Sequence, residues 1–252
     1  DFASDSYKDV PYSPDMVFLA NIKADKSKVV VGTPSASLVD IGNDVFCFEF
    51  HTKMNAINGE IVGMIPKVVE FIRKNGAGLV IGNEAGGMPP AFSAGGDLKY
   101  MLSLAKNKDF TGIDNFIKDT HATMKMIKYS SIPVVAAPFG LALGGGCEVC
   151  LWADKIVAHN ELYMALVEVG AGLVPAGGGC VQMWKRMSEA VVPQTDWLNV
   201  FLAAFKAIAM PMPSMSAQEA RNKGFLRAQD RIVFNRDFQI GEAKKEVIKM
   251  AE

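Results

Sequence analysis

The stretch Gly140-Leu-Ala-Leu-Gly-Gly-Gly-Cys-Glu148 places a carboxylate at the end of an apolar, glycine-rich run. It follows Pro133-Val-Val-Ala-Ala137, which has the composition of a short buried strand. Further along, Glu168 stands in a second run of the same character, from Met164 to Gly179. Carboxylates are seldom buried without a partner or a task. Because glycines also leave backbone N–H groups accessible, the two runs predict acid–base chemistry beside an anion-stabilising pocket.

A strand followed by glycines and a helix start also suits phosphate binding of the Rossmann kind. That class expects an acidic residue after the next strand, whereas the strand predicted at 155–158 is followed by His159 and Asn160. The sequence has no GxxxxGK[ST] run either. We therefore set nucleotide binding aside. For the triple glycine taken alone, close packing of a buried helix start stays open as the structural alternative.

The composition sets broad limits on function. Of 252 residues, 50% are hydrophobic and 21% are charged, which is enough for a sizeable core. The 26 basic and 27 acidic residues give a net charge of −1, so we expect no nucleic-acid partner. No apolar run reaches the roughly 18 residues of a membrane span, and no signal-peptide pattern is visible. Four cysteines in apolar segments indicate reduced thiols and a cytoplasmic location.

Hydrophobic periodicity predicts an α/β fold in which strands and helices alternate first and helices follow after Pro175. The runs Ser37 to Ile41 and Val45 to Phe50 form a predicted hairpin, since the turn residues Gly42-Asn-Asp44 separate them. Further strands are predicted at 79–81, 133–137 and 155–158, and a loop at 82–92. Helices are predicted at 60–74, 109–129, 178–189, 194–209, 216–222 and 237–251.

The same pattern divides the chain into three parts. Residues 1–35 mix polar residues and prolines without periodicity, so we predict a linker or a loosely packed leading segment. A core is predicted at 36–190 and a C-terminal helical region at 191–252. Within that region the helix at 194–209 is apolar almost all round and predicts a covering partner, such as another subunit.

The order of the motifs resembles the crotonase (enoyl-CoA hydratase/isomerase) superfamily. The likeness is carried by Ala91-Phe-Ser-Ala-Gly-Gly-Asp-Leu-Lys99, by the stretch ending at Glu148, by Trp152-Ala-Asp154 and by the second glutamate. The stretches 50–57, 133–140 and 167–179 resemble one subgroup, the hydratase module that follows a 3-hydroxyacyl-CoA dehydrogenase module in bifunctional fatty-acid oxidation enzymes. The sequence begins with Asp1 and not with Met, as expected for a module excised from such a chain.

This resemblance implies a crotonase (ClpP-like) fold of repeated ββα units and the hydration of trans-2-enoyl-CoA in fatty acid beta-oxidation. It implies Glu148 and Glu168 as catalytic residues and the amides of Gly96 and Gly145 as an oxyanion hole. The residues it implies for acyl-CoA contacts are Met54, Ala56, Ala94, Asp97, Leu98 and Lys99. No metal or redox cofactor is expected, because CoA arrives with the substrate; NAD is expected only if the full chain has a dehydrogenase module. The expected partners are further copies of the chain or that covalently linked module.

Two alternatives remain at this point. Superfamily members with only the later glutamate tend to be double-bond isomerases, so the presence of both acids favours hydration. A module that binds acyl-CoA without catalysis is the other alternative.

The three histidines are scattered along the chain and predict no metal site.

Overall fold

The structure is a computed structural model, and it describes residues 2–7, 13–84 and 89–252. The strands are β1 (Val29–Gly32), β2 (Ala36–Asp40), β3 (Val45–Phe50), β4 (Gly78–Gly82), β5 (Ala91–Ser93), β6 (Val134–Ala137), β7 (Gly140–Leu143), β8 (Lys155–His159), β9 (Leu162–Ala165) and β10 (Arg231–Val233). The helices are α1 (Leu19–Ala24), α2 (Gly59–Asn75), α3 (Leu98–Lys106), α4 (Phe110–Lys128), α5 (Gly145–Trp152), α6 (Gly179–Glu189), α7 (Trp197–Ala209), α8 (Ala217–Asn222) and α9 (Gln239–Ala251). The helices predicted from periodicity are confirmed, with small shifts of their ends.

The strands of the described residues form two sheets. The larger sheet has the order β1-β2-β3-β4-β6-β8-β10, and the smaller has the order β5-β7-β9. β1, β2 and β3 pair antiparallel, which confirms the predicted hairpin. The other pairs of the larger sheet are parallel, as is the whole of the smaller sheet.

The chain alternates between the two sheets. β4, β6 and β8 lie in the larger sheet, and each is followed by a strand of the smaller sheet and then by helix. The helices are α3 and α4 in the first unit, α5 in the second, and α6 in the third, where a short 3₁₀ turn at Glu168–Ala171 comes first. The predicted architecture of repeated ββα units is therefore confirmed.

Apolar side chains cover both faces of the larger sheet. Successive residues of a strand point to opposite faces. In β3, Phe46 and Phe48 therefore enter one core cluster with α2 and α5, while Val45 and Cys47 enter the other with α9. Parallel strands that are covered on both faces read as continuous apolar runs, which is why β4 and β6 were predictable from the sequence.

β5 lies at the end of the loop predicted at 82–92, and β7 lies in the glycine-rich run that follows the strand predicted at 133–137. Each has only three or four residues, too few for a visible alternation of apolar and polar positions. Gly140 also begins β7 with φ of 51°, and an ideal Cβ there would overlap the Pro90 carbonyl oxygen. This close approach explains the glycine. Residues 85–88 of the predicted loop lie outside the described residues.

The prediction of a linker or loosely packed segment over residues 1–35 stays a prediction, and residues 1 and 8–12 of it lie outside the described residues. Within the described part, α1 and β1 are regular elements. Leu19 in α1 is fully buried, and β1 pairs with β2. The sequence signal was weak because β1 is an edge strand whose residues are mostly exposed.

α7 leaves most of its apolar surface exposed, although Val200 and Ala204 are buried. Its exposed large side chains are Trp197, Leu198, Phe201, Leu202 and Phe205. The predicted covering partner for this helix stays a prediction.

A buried ion pair ties the C-terminal region to the core. The Asp230 carboxylate accepts hydrogen bonds from the N–H groups of Ile156 (2.9 Å) and Arg227 (2.6 Å). Nη1 of Arg186 in α6 lies 3.6 Å from the same carboxylate, and both side chains are buried. Arg186 also donates to the Leu151 carbonyl of α5 at 2.9 Å. The Asp230 carboxylate thus contacts β8 and α6, and Arg186 extends the contact to α5.

Replacement of this carboxylate tests its structural role. Asp230→Ala is expected to lower the free energy of unfolding by about 3–5 kcal/mol, because it leaves the buried Arg186 guanidinium without its counter-charge. Urea denaturation followed by circular dichroism measures the change. Asp114→Ala is the matched control, since Asp114 and its partner Lys118 are both exposed on α4. Similar shifts of the midpoint in both variants would contradict the role given to Asp230.

Candidate active site

The carboxyl ends of β5, β7 and β9 lie side by side at one edge of the smaller sheet. The pairing places Ser93 opposite Ala142 and Leu143 opposite Ala165. Because parallel strands end at the same edge, the segments that follow these strands meet there. Those segments contain the acids predicted to be catalytic, Glu148 and Glu168, and the glycines predicted to form an oxyanion hole, Gly96 and Gly145.

The Gly96 amide is left free by the way its neighbours are bonded. Gly96 forms an isolated parallel bridge with Ile57. Ile57 N–H donates to the Gly95 carbonyl at 2.8 Å, and Asp97 N–H donates to the Ile57 carbonyl at 2.9 Å. In such a bridge the N–H of the middle residue points away from the partner. Within the described part of the chain, the Gly96 N–H has no acceptor.

The Gly145 amide is the second free donor. Gly145 is the first residue of α5, and the first amides of a helix have no acceptor within the helix. An ideal Cβ on Gly145 would lie 3.2 Å from the Gly96 nitrogen, so the two amides are close neighbours. Two adjacent N–H groups at the positive end of a helix dipole can stabilise one negatively charged oxygen.

Glu148 is a buried acid in the first turn of α5, with 4% of its surface exposed. Its Oε1 accepts a hydrogen bond from the Gly179 N–H at 2.7 Å. Burial, together with the nearby charge of Glu168, raises the pKa of Glu148 to about 7, although the N–H groups of Gly179 and Gly177 favour the ionised form. Near neutral pH this side chain is therefore available both as an acid and as a base.

Glu168 is half-buried at the start of the 3₁₀ turn after β9. Burial raises its pKa above the ordinary value, against hydrogen bonds from its own N–H and that of Val167. Among the described residues its Oε2 is a buried atom without a hydrogen-bond partner. Such atoms are rare in native proteins, so this oxygen indicates a place for a water molecule or a ligand.

Glycines let the backbone approach both acids. An ideal Cβ on Gly144, where φ is 51°, would lie 3.1 Å from Oε1 of Glu168. One on Gly179 would lie 3.0 Å from Oε1 of Glu148, and one on Gly177 would overlap Oε2 of the same side chain. The acids are therefore enclosed by peptide groups.

These two acids and two glycines line one cavity of about 120 Å³. Its remaining walls are mainly apolar and include Leu98, Met101, Phe116, Ile117, Leu173 and Val174. The volume is well above the roughly 10–15 Å³ that one water molecule needs. Apolar walls lower the local dielectric constant and so strengthen the interaction of amides and carboxylates with a bound molecule.

The three residues at the start of α3 that are predicted to contact acyl-CoA differ in position, and for Asp97 and Lys99 the contact stays a prediction. Leu98 lines the cavity, whereas Asp97 and Lys99 lie outside its described lining. The Asp97 carboxylate caps α3, because it accepts from the N–H groups of Lys99 (3.0 Å) and Tyr100 (3.4 Å). The Asp97 side chain thus fixes the start of the helix that follows the Gly96 amide.

Met54, Ala56 and Ala94 also lie outside the described lining of the cavity. The Met54 carbonyl accepts from the Ala94 N–H at 3.0 Å, and the Ala56 carbonyl accepts from the Thr52 hydroxyl at 2.6 Å. These bonds support the loop that carries Gly96. Contact of these three residues with acyl-CoA stays a prediction.

The sequence did not identify the wall that α3 and α4 supply. Phe116, Ile117, Thr120 and Met124 lie within the helix predicted at 109–129, but the sequence did not show that they and Met101 line the cavity. The spacing of three or four residues between these positions was the available signal. What a helix face packs against depends on tertiary structure, which the spacing does not contain.

The described residues also bear on metal sites and membrane spans. In that part of the chain no group of three or more His, Cys, Asp or Glu side chains is placed to hold a metal ion. No described helix has the length and apolar character of a membrane span. His51 contacts Ser37 and Glu49, and His159 contacts the Phe234 carbonyl, all away from the cavity.

Solved structures share this architecture. The crystal structure of an enoyl-CoA hydratase from Geobacillus kaustophilus HTA426 matches with a TM-score of 0.73 at 18% sequence identity, covering 88% of this chain and 76% of that chain. The enoyl-CoA hydratase structure from Thermoplasma volcanium GSS1 gives a TM-score of 0.69 at 21% identity, covering 87% and 78%. The chain therefore has the crotonase fold, a mixed α/β core with a C-terminal helical region.

Sequence comparison supplies the family. The family model described as "Enoyl-CoA hydratase/isomerase" matches residues 41–233, and the chain belongs to this family. A Bacillus subtilis (strain 168) protein named "Probable 3-hydroxyacyl-CoA dehydrogenase" is 40% identical over 239 residues, which is 95% of this chain and 29% of that protein. Human "Methylglutaconyl-CoA hydratase, mitochondrial" is 32% identical over 142 residues, 56% of this chain and 40% of that protein. The chain thus spans less than a third of its Bacillus relative.

The electrostatics of the two acids can be measured directly. In carbon NMR of protein labelled at the glutamate carboxyl carbons, we expect a resonance that titrates near pH 7 and is absent from Glu148→Gln. Glu168→Gln should lower the pKa of Glu148, because it removes a neighbouring negative charge. Glu189→Gln, at an exposed position of α6, is the control and should leave that titration unchanged. A Glu148 resonance that titrates at the ordinary glutamate pKa would contradict the described environment.

Proposed function

We propose that this chain hydrates trans-2-enoyl-CoA to 3-hydroxyacyl-CoA, a step of fatty acid beta-oxidation. The observation that carries the proposal is the meeting of two acids, Glu148 and Glu168, with two free amides at one apolar cavity. Addition of water to a conjugated thioester requires a proton acceptor, a proton donor and a place for negative charge. The cavity offers all of these.

The amides of Gly96 and Gly145 would bind the thioester oxygen. When water attacks C3 of the conjugated double bond, electron density moves from C2=C3 onto that oxygen and gives an enolate-like state. Two N–H donors that are already in position stabilise this charge without reorganisation, each by about 3–4 kcal/mol as in other oxyanion holes. The positive end of the α5 dipole adds to the effect.

The two glutamates would divide the proton transfers. One carboxylate accepts a proton from water as its oxygen bonds to C3, and the other carboxyl group delivers a proton to C2. The elements of one water molecule are added, and the pair of acids together gains and loses one proton. Such a pair works when it holds a single proton, and a pKa of about 7 at Glu148 favours that state near neutral pH.

We further propose that the chain is the hydratase part of a larger protein with a 3-hydroxyacyl-CoA dehydrogenase module. The support is the 40% identity with the Bacillus protein of that name, of which this chain spans 29%. The proposed product, a 3-hydroxyacyl-CoA, is the compound that the relative's name contains. NAD would belong to the dehydrogenase module, and CoA reaches this site only as part of the substrate. Either that module or further copies of the chain are the proposed partners, in the cytoplasm, where free cysteines such as the four here stay reduced.

Substitution of either acid tests the assignment. Glu148→Gln and Glu168→Gln are each expected to lower kcat for crotonyl-CoA hydration by about 10²–10⁴-fold, because an amide cannot exchange the required proton. Loss of the ultraviolet absorbance of the conjugated thioester measures the rate. Calorimetric binding of butyryl-CoA should persist in both variants, since the two amides are unchanged. Glu189→Gln is the control for a glutamate outside the cavity.

Product analysis in the same assay separates the alternatives. An isomerase would move the double bond without adding water, and a binding module would hold the thioester without turnover. Either result for the unmodified chain would refute hydration. Undiminished turnover in Glu148→Gln would refute the role given to this acid.

The proposed oxyanion hole is tested by adding one methyl group. Gly145→Ala is expected to lower kcat by about 10²–10³-fold, because the new Cβ would stand close to the Gly96 amide, where the thioester oxygen would bind. Gly32→Ala is the control, since a Cβ on this exposed β1 residue makes only an ordinary contact, 3.5 Å from Val29 Cγ1. Wild-type kinetics in Gly145→Ala would exclude its amide from the reaction.

A further inference from the structure

A groove between α2 and α4 adjoins the catalytic cavity. The groove has a volume of about 580 Å³, compared with about 120 Å³ for the cavity. Val62 of α2 and Phe116 of α4 line both spaces, so these side chains form a shared wall. A bound molecule that is too long for the cavity would extend past this wall into the groove.

Two glycines keep the groove open. Gly59 and Gly63 lie one turn apart on the same face of α2, and both line the groove. An ideal Cβ on either glycine would meet no described atom within 4 Å. Glycine is less favourable than alanine at the interior position of Gly63, where no close packing requires it, and Gly59 is the first residue of α2. The effect of both residues is to leave the groove unfilled.

The groove combines apolar walls with polar residues exposed to water. Pro66, Tyr100 and Met126 contribute apolar surface, while Asn115 and Asp119 are exposed polar residues. The Tyr100 ring packs edge-on against the Phe116 ring of the shared wall, with 5.4 Å between the ring centroids. Such a surface suits a hydrocarbon chain, and the lining residues that the structure describes include no cationic side chain for an anionic ligand.

The proposed binding site of the thioester oxygen determines the direction in which the acyl chain runs. A thioester oxygen bound by Gly96 and Gly145 fixes the carbonyl carbon at the amides. The acyl chain then continues along the apolar walls of the cavity, which include Met101 and Phe116. The end of a long chain needs further space, and the shared wall of Val62 and Phe116 is what separates the cavity from the groove.

We propose that the groove between α2 and α4 receives the distal methylene groups of long-chain enoyl-CoA substrates, and that Val62, Phe116 and Gly63 set the chain-length preference. This inference rests on the proposed function. Rotation of the half-buried Phe116 side chain opens the shared wall, and Gly63 leaves the space into which the chain passes. Each methylene group that enters the groove raises kcat/KM by up to about fourfold, from the usual free energy of burying a CH₂.

The test compares a long and a short substrate in variants that fill the groove. The measured quantity is the ratio of kcat/KM for trans-2-dodecenoyl-CoA to that for crotonyl-CoA. Gly63→Leu is expected to lower this ratio by about tenfold or more, as if about two methylene groups were displaced from the groove. Gly59→Leu, one turn earlier, should lower it in the same direction. The ratio is insensitive to a general loss of active protein, because both substrates are measured on the same preparation.

Lys67→Leu is the matched control, because it adds the same side chain to an exposed position of α2 outside the groove lining. It should leave the ratio unchanged. Unchanged ratios in Gly63→Leu and Gly59→Leu, or an equal fall in Lys67→Leu, would overturn the proposal.

Binding measurements separate this proposal from the proposed function. The dissociation constants of dodecanoyl-CoA and butyryl-CoA, measured by calorimetry on the same variants, should follow the same pattern without any turnover. If the unmodified chain hydrates neither enoyl-CoA, the proposed function fails while the binding ratio still decides the groove. If hydration occurs and both ratios are insensitive to Gly63→Leu, the groove proposal alone fails.

Discussion

The parallel pairing of β5, β7 and β9 is the constraint on which the rest of the site depends. These strands have only three or four residues each, yet their shared direction brings three distant segments of the chain to one edge. The amides of Gly96 and Gly145 become neighbours only through this pairing. The larger sheet, buried on both faces, gives the smaller sheet a rigid support.

The two acids at that edge show how a protein gives up stability for chemistry. Burial raises the pKa of Glu148 from its ordinary value of 4.5 to about 7. Between these pH values the folded chain binds more protons at this site than the unfolded chain does, so the contribution of Glu148 to stability falls as the pH rises. The backbone N–H groups of Gly177 and Gly179 reduce this cost but do not remove it. The result of these opposing effects is an acid whose pKa is about 7, so both its protonated and its ionised form are present near neutral pH.

The sequence predicted the elements whose patterns are long and local. The hairpin at 37–50 and the amphipathic helices were visible because their apolar residues recur at a fixed period. β5 and β7 were not, since three or four residues carry no period. The acids and glycines at the cavity were recognisable by their unusual setting. Asp97 caps α3, and its predicted contact with acyl-CoA stays a prediction. The apolar wall from α4 was missed because packing partners are decided by the tertiary fold.

The donors that hold Glu148 are peptide groups, and this has a consequence for how the site can vary. A side-chain donor is exchanged by a single codon change, but the N–H groups of Gly177 and Gly179 persist through any substitution other than proline. At both positions a larger residue would press on the carboxylate itself. The pKa of Glu148 can therefore change gradually during evolution through its apolar neighbours, such as Leu166, because these determine how far water is excluded from the carboxyl group. The hydrogen-bonding pattern is inherited with the backbone, while the proton affinity remains open to selection.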